Sequence, residues 1–291
     1  MPDAVLIAGP TASGKTRLAL EMADRHNGEI INTDSMQVYP VLNVLTARPD
    51  ADELAAAPHH LYAHAALDEP YSVAKWLSDV KPVFDDITAR GKTPIFAGGT
   101  GLYFRALTEG LSVVPEIPAE IRDDIRSRLE EEGPEVLHDE LVGLDPEGAA
   151  ALKRTDSHRI ARALEVVVAT GKPISVFRQL PKEPALLSGL NIDHLLILPP
   201  RPLLHERIDL RAEKMIELGA IDEVKALLAM DLPENATVLR AIGVPQLADY
   251  IYGKKSLSEA IFSLKSTTRQ YAKRQYTWFR NQFSHSWKRL D

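Results

Sequence analysis

The 291-residue sequence contains no cysteine, which excludes disulfides and thiolate-bound zinc and fits a reducing compartment. Any metal must then be held by oxygen or imidazole. No apolar run is long enough to cross a bilayer, so no membrane anchor is expected. The first ten residues carry Asp3, no basic residue and an apolar stretch limited to residues 4–8, too short for the core of a secretory leader. A cytoplasmic protein is expected. Internal repeats and low-complexity tracts are absent, and the scattered histidines, His59-His60 included, lack metal-ligand spacing and read as structural.

Hydrophobic residues at 45% and charged residues at 26% describe an ordinary globular chain. Its length exceeds the roughly 100–200 residues of a typical domain, so one large domain or a core with an insertion is expected. The net charge of −7 disfavours nonspecific binding of nucleic acid by the surface as a whole, yet the charge is segregated. Residues 265–291 sum to +6, while residues 116–147 sum to −9. A local basic footprint on an acidic protein suits one polyanion docked in one place.

Short apolar runs at residues 5–8, 29–32, 93–97 and 194–198, separated by helical patterns, read as buried parallel strands with helical crossovers. Residues 60–65 are a weaker strand candidate. Between residues 116 and 190 the pattern turns helical without a convincing strand, so this stretch is expected to be an all-helical insertion. The fold class is therefore α/β: a core of residues 1–115 and 191–291, its parallel sheet flanked by helices and P-loop NTPase-like once the glycine-rich, lysine-bearing turn of residues 9–16 after the first strand is counted, plus that insertion. Within the insertion, Asp156 or Ser157 caps a helix with Ile160, Ala163, Leu164, Val167 and Val168 at helical spacing. The last long helix, over residues 258–280, spaces Lys265, Arg269 and Lys273 by four beside Tyr271, Tyr276, Trp278 and Phe279. Those aromatics suit either base stacking or core packing.

Gly9-Pro10-Thr11-Ala12-Ser13-Gly14-Lys15-Thr16 matches the phosphate-loop pattern at every fixed position and lies between a strand and a helix, as that pattern requires. Its amides and the helix N-terminus would cradle a di- or triphosphate, Lys15 would add a point charge, and the Thr16 hydroxyl could ligate Mg²⁺. The loop alone favours a kinase or NTPase using ATP. Against that, the strand over 93–97 ends in Gly98-Gly99 and the strand over 194–198 ends in Pro199-Pro200, leaving Asp34 as the one acid at a suitable strand end. Asp34 could be a general base in the crevice or a turn cap. The glycines of Gly98-Gly99-Thr100-Gly101-Leu102-Tyr103 allow either a tight turn or close approach of a ligand. Arg211 is either a diphosphate clamp or a solvated face.

The phosphate loop, Asp34-Ser35-Met36-Gln37-Val38-Tyr39, Thr46-Ala47-Arg48-Pro49, Gly98 to Tyr103, and Tyr271-Ala272-Lys273-Arg274-Gln275 with Thr277-Trp278-Phe279-Arg280 together resemble the bacterial tRNA dimethylallyltransferases over nearly the whole length. The resemblance implies transfer of a dimethylallyl group from dimethylallyl diphosphate to N6 of the adenosine 3′ of the anticodon. It further implies that the loop holds the departing diphosphate with Mg²⁺ on Thr16, that Arg211 aids it, and that Asp34 takes the N6 proton. By the same resemblance Asp34, Ser35, Met36, Gln37, Thr100, Arg122, and His158, Arg159, Ile160, Ala161 and Arg162 contact tRNA. The insertion would grip the anticodon loop, with Lys273 and Arg274 facing the stem. Two positions depart from the family pattern: Pro40 replaces a basic residue, and Ile242-Gly243-Val244-Pro245 replaces an Ile-Gly-Tyr motif. A small-molecule kinase, an enzyme prenylating free adenine nucleotides and a noncatalytic RNA-binding protein are the alternatives. A monomer is expected.

Overall fold

A computed structural model describes residues 1–69, 71–180, 184–283 and 286–290. Its chain forms two compact units: Met1–Glu109 with Leu186–Asp291, and Gly110–Ala185. The helical unit thus begins and ends about five residues earlier than the composition suggests.

In the first unit β1 (Ala4–Ala8), β2 (Gly28–Asn32), β3 (His59–His60), β4 (Thr93–Gly98), β5 (Ile192–Ile197) and β6 (Lys288–Leu290) form one sheet in the order β3-β2-β4-β1-β5-β6. Every pairing is parallel. β1, β2 and β4 are buried along their whole length, which is why they read as unbroken apolar runs and not as alternating patterns. Helix Lys15–His26 covers one face through Ala19, Met22 and Ala23. The other face packs on Trp76, Val80, Phe84 and Ile87 of helix Val73–Ala89 and on Phe104 and Leu107 of helix Gly101–Glu109. Trp76 stacks on Tyr103 at 4.1 Å, and its indole N–H donates to the Asn32 carbonyl at 3.0 Å, tying this face to the end of β2.

One strand expectation changes, and one strand was not expected. Residues 60–65 extend β3 no further than His60, because Leu61 and Ala63 adopt positive φ of 61° and 53°, outside strand geometry. β6, with two exposed basic residues among three, carries no strand pattern and exists through its pairing with β5. The 26-residue helix Leu257–Gln282 starts from a Ser256–Glu259 capping box. Phe279 is fully buried in the sheet core, and Trp278 packs edge-on against Phe279 and Phe283. These aromatics are therefore core, and two of the three cations of the supposed basic stripe are already paired: Lys265 with Glu213 at 2.5 Å and Arg269 with Asp209 at 3.0 Å, both acids lying on helix Arg201–Glu217. Spacing by four places these cations on one helix face, but that face meets an acidic neighbour.

The second unit is helical. Ile125, Leu137, Leu141 and Ala149 pack against Ile160, Ala161, Ala163, Leu164 and Val167 of helix Ser157–Thr170. Ile160 is fully buried and Ala161 nearly so, because the helical period turns both side chains into the unit's core. His158, Arg159 and Arg162 of the same helix are exposed.

Candidate active site

The carboxyl ends of β1, β2 and β4 carry the phosphate loop, Asp34 and the Gly98-Gly99 turn, so three segments far apart in sequence converge on one crevice. Gly14 precedes the helix with φ of 95°, and no side chain caps that helix. Its first amides are thus left for an anion. Gly9 and Pro10 are buried behind the loop and shape it instead of lining the cavity. A Cβ on Gly9 would stand 2.7 Å from Ser13 Oγ and 2.8 Å from the Ile197 carbonyl.

In front of the loop lies a cavity of about 340 Å³ whose wall includes Thr11, Ala12, Ser13, Gly14, Lys15 and Thr16. Helix Arg201–Glu217 adds Arg207 and Arg211, one turn apart, while Asp34 is the single carboxylate among the described lining residues. Arg207 reaches the Ser13 carbonyl at 3.4 Å, and Arg211 donates to Thr11 Oγ1 at 2.6 Å, so Arg211 belongs to the loop and not to a solvated face. Lys15 Nζ donates to the Pro10 carbonyl at 2.8 Å. Burial lowers the Lys15 pKa to about 8; the Asp34 charge opposes that shift, and Arg211 adds to it. Burial also lowers Arg211, against the same Asp34 charge. Three crowded cations with one carboxylate make a site whose electrostatics are satisfied by a bound polyanion.

A second cavity, of about 330 Å³, adjoins the first. Met36, Leu45, Ile208, Ala212, Met215, Ile242 and Leu264 give it an apolar wall, and Ser35, Tyr271 and Arg274 line it too. Thr11, Asp34, Thr46 and Arg211 line both cavities. Asp34 therefore stands where a phosphate-bearing compartment meets an apolar one.

The Asp34 carboxylate caps a turn and also lines both cavities. Its Oδ1 accepts from the Met36 amide at 3.0 Å, an Asx turn, while its own amide donates to Asn32 Oδ1 at 2.8 Å. Oδ2 points toward Gly99, 3.3 Å from where a Cβ would stand. Asn32 also donates to the carbonyls of Asp34 and Leu61, each at 3.0 Å, which fixes the turn from behind. Thr100 Oγ1 accepts from the Ser35 amide at 3.0 Å and is absent from both cavity walls. Gln37 lines the first cavity and donates to the carbonyls of Thr46 and Ala47 at 2.9 and 2.8 Å.

The glycines after β4 answer to packing. A Cβ on Gly98 would lie 2.2 Å from the Thr33 carbonyl, on Gly99 2.5 Å from Gln275 Nε2, and on Gly101 2.0 Å from the Trp278 ring. Protein, not ligand, makes the close approach. Gln275 belongs to a quoted motif but was given no role there: buried, it accepts from the Thr11 amide at 2.9 Å and donates to the Gly99 carbonyl at 2.8 Å. One side chain of the last long helix thus joins two of the crevice loops. Arg207, Tyr62 and His59 were missed as well, since no local pattern places them in the wall of the first cavity.

Of the remaining expected tRNA contacts, Lys273 and Arg274 are exposed on helix Leu257–Gln282. Arg122, in the helical unit, donates to the Ile117 carbonyl at 3.0 Å. Gly243, at a position of the departing Ile-Gly motif, has φ of 108°, and a Cβ there would meet Leu45 at 2.5 Å. Pro40 is exposed, and its carbonyl accepts from Arg48 at 2.9 Å.

Comparison with known proteins accounts for this constellation. The IPP transferase family profile matches residues 37–282, and an isopentenyl transferase profile matches residues 2–68. A tRNA dimethylallyltransferase of Rhizobium johnstonii is 50% identical over 288 residues, covering 99% of this chain and 97% of that protein. The crystal structure of a Bacillus halodurans tRNA isopentenylpyrophosphate transferase is 35% identical with a TM-score of 0.71, over 100% of this chain and 90% of that one. A eukaryotic dimethylallyltransferase captured acting on tRNA is 31% identical with a TM-score of 0.78, over 95% of this chain and 69% of that one. With a profile match across most of its length, the chain belongs to the IPP transferase family, that of the tRNA dimethylallyltransferases.

Proposed function

We propose that the protein transfers the dimethylallyl group of dimethylallyl diphosphate to N6 of the adenosine 3′-adjacent to the anticodon in tRNA, releasing diphosphate. The observation that carries this reading is the position of Asp34 in the wall shared by a cationic cavity and an apolar one. Such a pair of compartments suits a donor with a charged end and an acceptor that arrives from elsewhere.

In the reaction the N6 lone pair forms a bond to the allylic carbon while the C–O bond to the diphosphate breaks. Negative charge then gathers on the leaving oxygen. Loop amides, Lys15, Arg207 and Arg211 are fixed before the reaction by their contacts with the loop, so they stabilise that charge without reorganising. The N6 proton becomes acidic as the nitrogen bonds carbon, and Asp34 accepts it. Because Oδ1 is held by the Met36 amide, Oδ2 is the receiving atom. The adenine must leave the anticodon stack to reach the shared wall, as enzymes acting on a base require.

Mg²⁺ fits this arrangement. Thr16 lines the cationic cavity, and no group of three His, Asp or Glu side chains gathers to hold a metal among the described residues. A hard cation resting on one protein hydroxyl, with diphosphate and water filling the rest of its shell, suits that donor set. Bound there, the ion would neutralise part of the diphosphate charge.

His158, Arg159 and Arg162 on the helical unit, with Arg122, are the proposed contacts to the anticodon loop, and Lys273 and Arg274 those to stem phosphates. Among the described residues no helix is long and apolar enough to cross a membrane. A monomeric, cytoplasmic enzyme completes the reading. The kinase alternative has no support, since every profile and relative named above is a prenyl transferase.

The test incubates the protein with dimethylallyl diphosphate, Mg²⁺ and unmodified tRNA carrying an adenosine run in the anticodon loop, followed by nucleoside mass spectrometry. The expected product is N6-dimethylallyladenosine with release of diphosphate. Consumption of ATP without prenylated nucleoside would overturn the reading.

A further inference from the structure

One carboxylate outside both cavities is tied to the segment that contributes to the walls of both. Glu223 lies in the first turn of helix Ala220–Leu228. Its Oε1 accepts from the backbone amides of Asn43 at 2.8 Å and Val44 at 2.7 Å, and its Oε2 accepts from that of Leu45 at 3.1 Å. Three consecutive amides of a loop without regular structure thus converge on one side chain 178 to 180 residues away. The last of these residues, Leu45, and the next, Thr46, line the apolar cavity, and Thr46 and Ala47 line the cationic one. We infer that Glu223 is a positioning residue for prenyl transfer, setting the segment 45–47 that separates the two compartments.

The chain of contacts supports the assignment at both ends. Ala47 has a positive φ of 51°, a conformation that alanine does not hold without surrounding support. Gln37 donates to the carbonyls of Thr46 and Ala47 and follows directly on the Asp34 to Met36 turn, so displacement of the segment would be felt beside the carboxylate that receives the proton. On the opposite side the Leu45 side chain fills the space that a Cβ on Gly243 would need. The segment is held on its amide side by Glu223, on its carbonyl side by Gln37, and by packing at Leu45. Only the first of these holds is a charge: carboxylate-to-amide bonds are about twice as strong as neutral ones. Removing that charge leaves three amides competing for one neutral oxygen.

The diphosphate end is held mainly elsewhere. The phosphate loop is fixed by Arg211 on Thr11 Oγ1 and by Gln275 on the Thr11 amide, hydrogen bonds that involve neither Glu223 nor the segment 43–47. Misplacement of a reacting group by about 1 Å is enough to cost around a hundredfold in rate. Loss of Glu223 should therefore slow turnover while leaving the grip on the donor's anionic end intact.

The inference rests on the prenyl-transfer reading, and its test separates the two. Glu223→Gln and Glu223→Asp are compared with the parent by kcat and KM on tRNA, by affinity for the unreactive donor analogue dimethylallyl thiolodiphosphate, and by amide hydrogen exchange over residues 43–47. Glu223→Gln is expected to lower kcat by about tenfold or more, with analogue affinity changed less than about twofold. Faster exchange should be confined to the segment. Glu223→Asp, which keeps the charge on a shorter arm, should recover part of kcat, and it carries the test if the amide variant does not fold. Turnover within twofold of the parent in the folded variants, or equal losses of analogue affinity and kcat, would overturn the inference. A parent that makes no prenylated tRNA would instead overturn the function, while hydrogen exchange still reports whether Glu223 holds the segment.

Discussion

Lys15 gives the most exacting prediction, because its charge is needed by the donor and opposed by its surroundings. With its pKa lowered to about 8, Lys15 in the free protein loses its proton within an accessible pH range. A bound diphosphate favours the ammonium form and raises that pKa, so binding takes up a proton near and above pH 8. The sign follows: donor affinity is full below pH 8 and falls as pH rises through it, by up to tenfold per unit. Between pH 7 and 9 the charged fraction drops by about a factor of ten, equivalent to roughly 1.4 kcal/mol. Dimethylallyl thiolodiphosphate is a suitable ligand, since the last ionisation of a phosphate ester lies near pH 6, below the window. Calorimetry at pH 8 in buffers of different ionisation enthalpy should show uptake of about half a proton. Lys15→Met should bind roughly ten- to a hundredfold more weakly at pH 7, the scale of a lost hydrogen bond to a charged group, and show no slope between pH 7 and 9. An affinity of the parent that is flat over this range, or a slope that persists in Lys15→Met, would refute the electrostatic account of the cavity.

Further outcomes follow from single contacts. Asp34→Asn retains an oxygen for the Met36 amide but cannot take a proton, so kcat on tRNA should fall by about 10²–10⁴ with tRNA affinity within an order of magnitude; unchanged turnover would reduce Asp34 to a turn cap. Gly101→Ala would drive a methyl group into the Trp278 ring and should lower stability in urea unfolding by about 1–3 kcal/mol. Lys273→Ala with Arg274→Ala should lower the slope of log affinity for tRNA against log salt by nearly 2. Lys265→Ala with Arg269→Ala should barely move that slope, because both cations already face Glu213 and Asp209. Equal effects of the two pairs would restore the continuous basic stripe.

Local chemistry explains why so much of the core was legible in the sequence. β1, the phosphate loop and helix Lys15–His26 are contiguous, so glycine conformation, helix start and apolar run are all written within 26 residues. The Asp34 turn is similar, its hydrogen bonds spanning two residues. Helical period gave the buried face of Ser157–Thr170 at Ile160, Ala163, Leu164 and Val167. β6 escaped because a strand of three residues with two charges has no periodicity to read.

The sequence by itself determined that a phosphate loop opens a parallel α/β core, that Asp34 sits at a strand end, and that a helical segment interrupts the core. Tertiary structure alone decided what surrounds them: that Gln275 bonds an amide 264 residues away, that Arg211 belongs to the loop, that Glu223 holds the segment between the cavities, and that Lys265 and Arg269 spend their charge on an adjacent helix. The physical reason is that spacing along a helix or strand fixes which side chains share a face. Which neighbour that face meets is settled only when the elements pack.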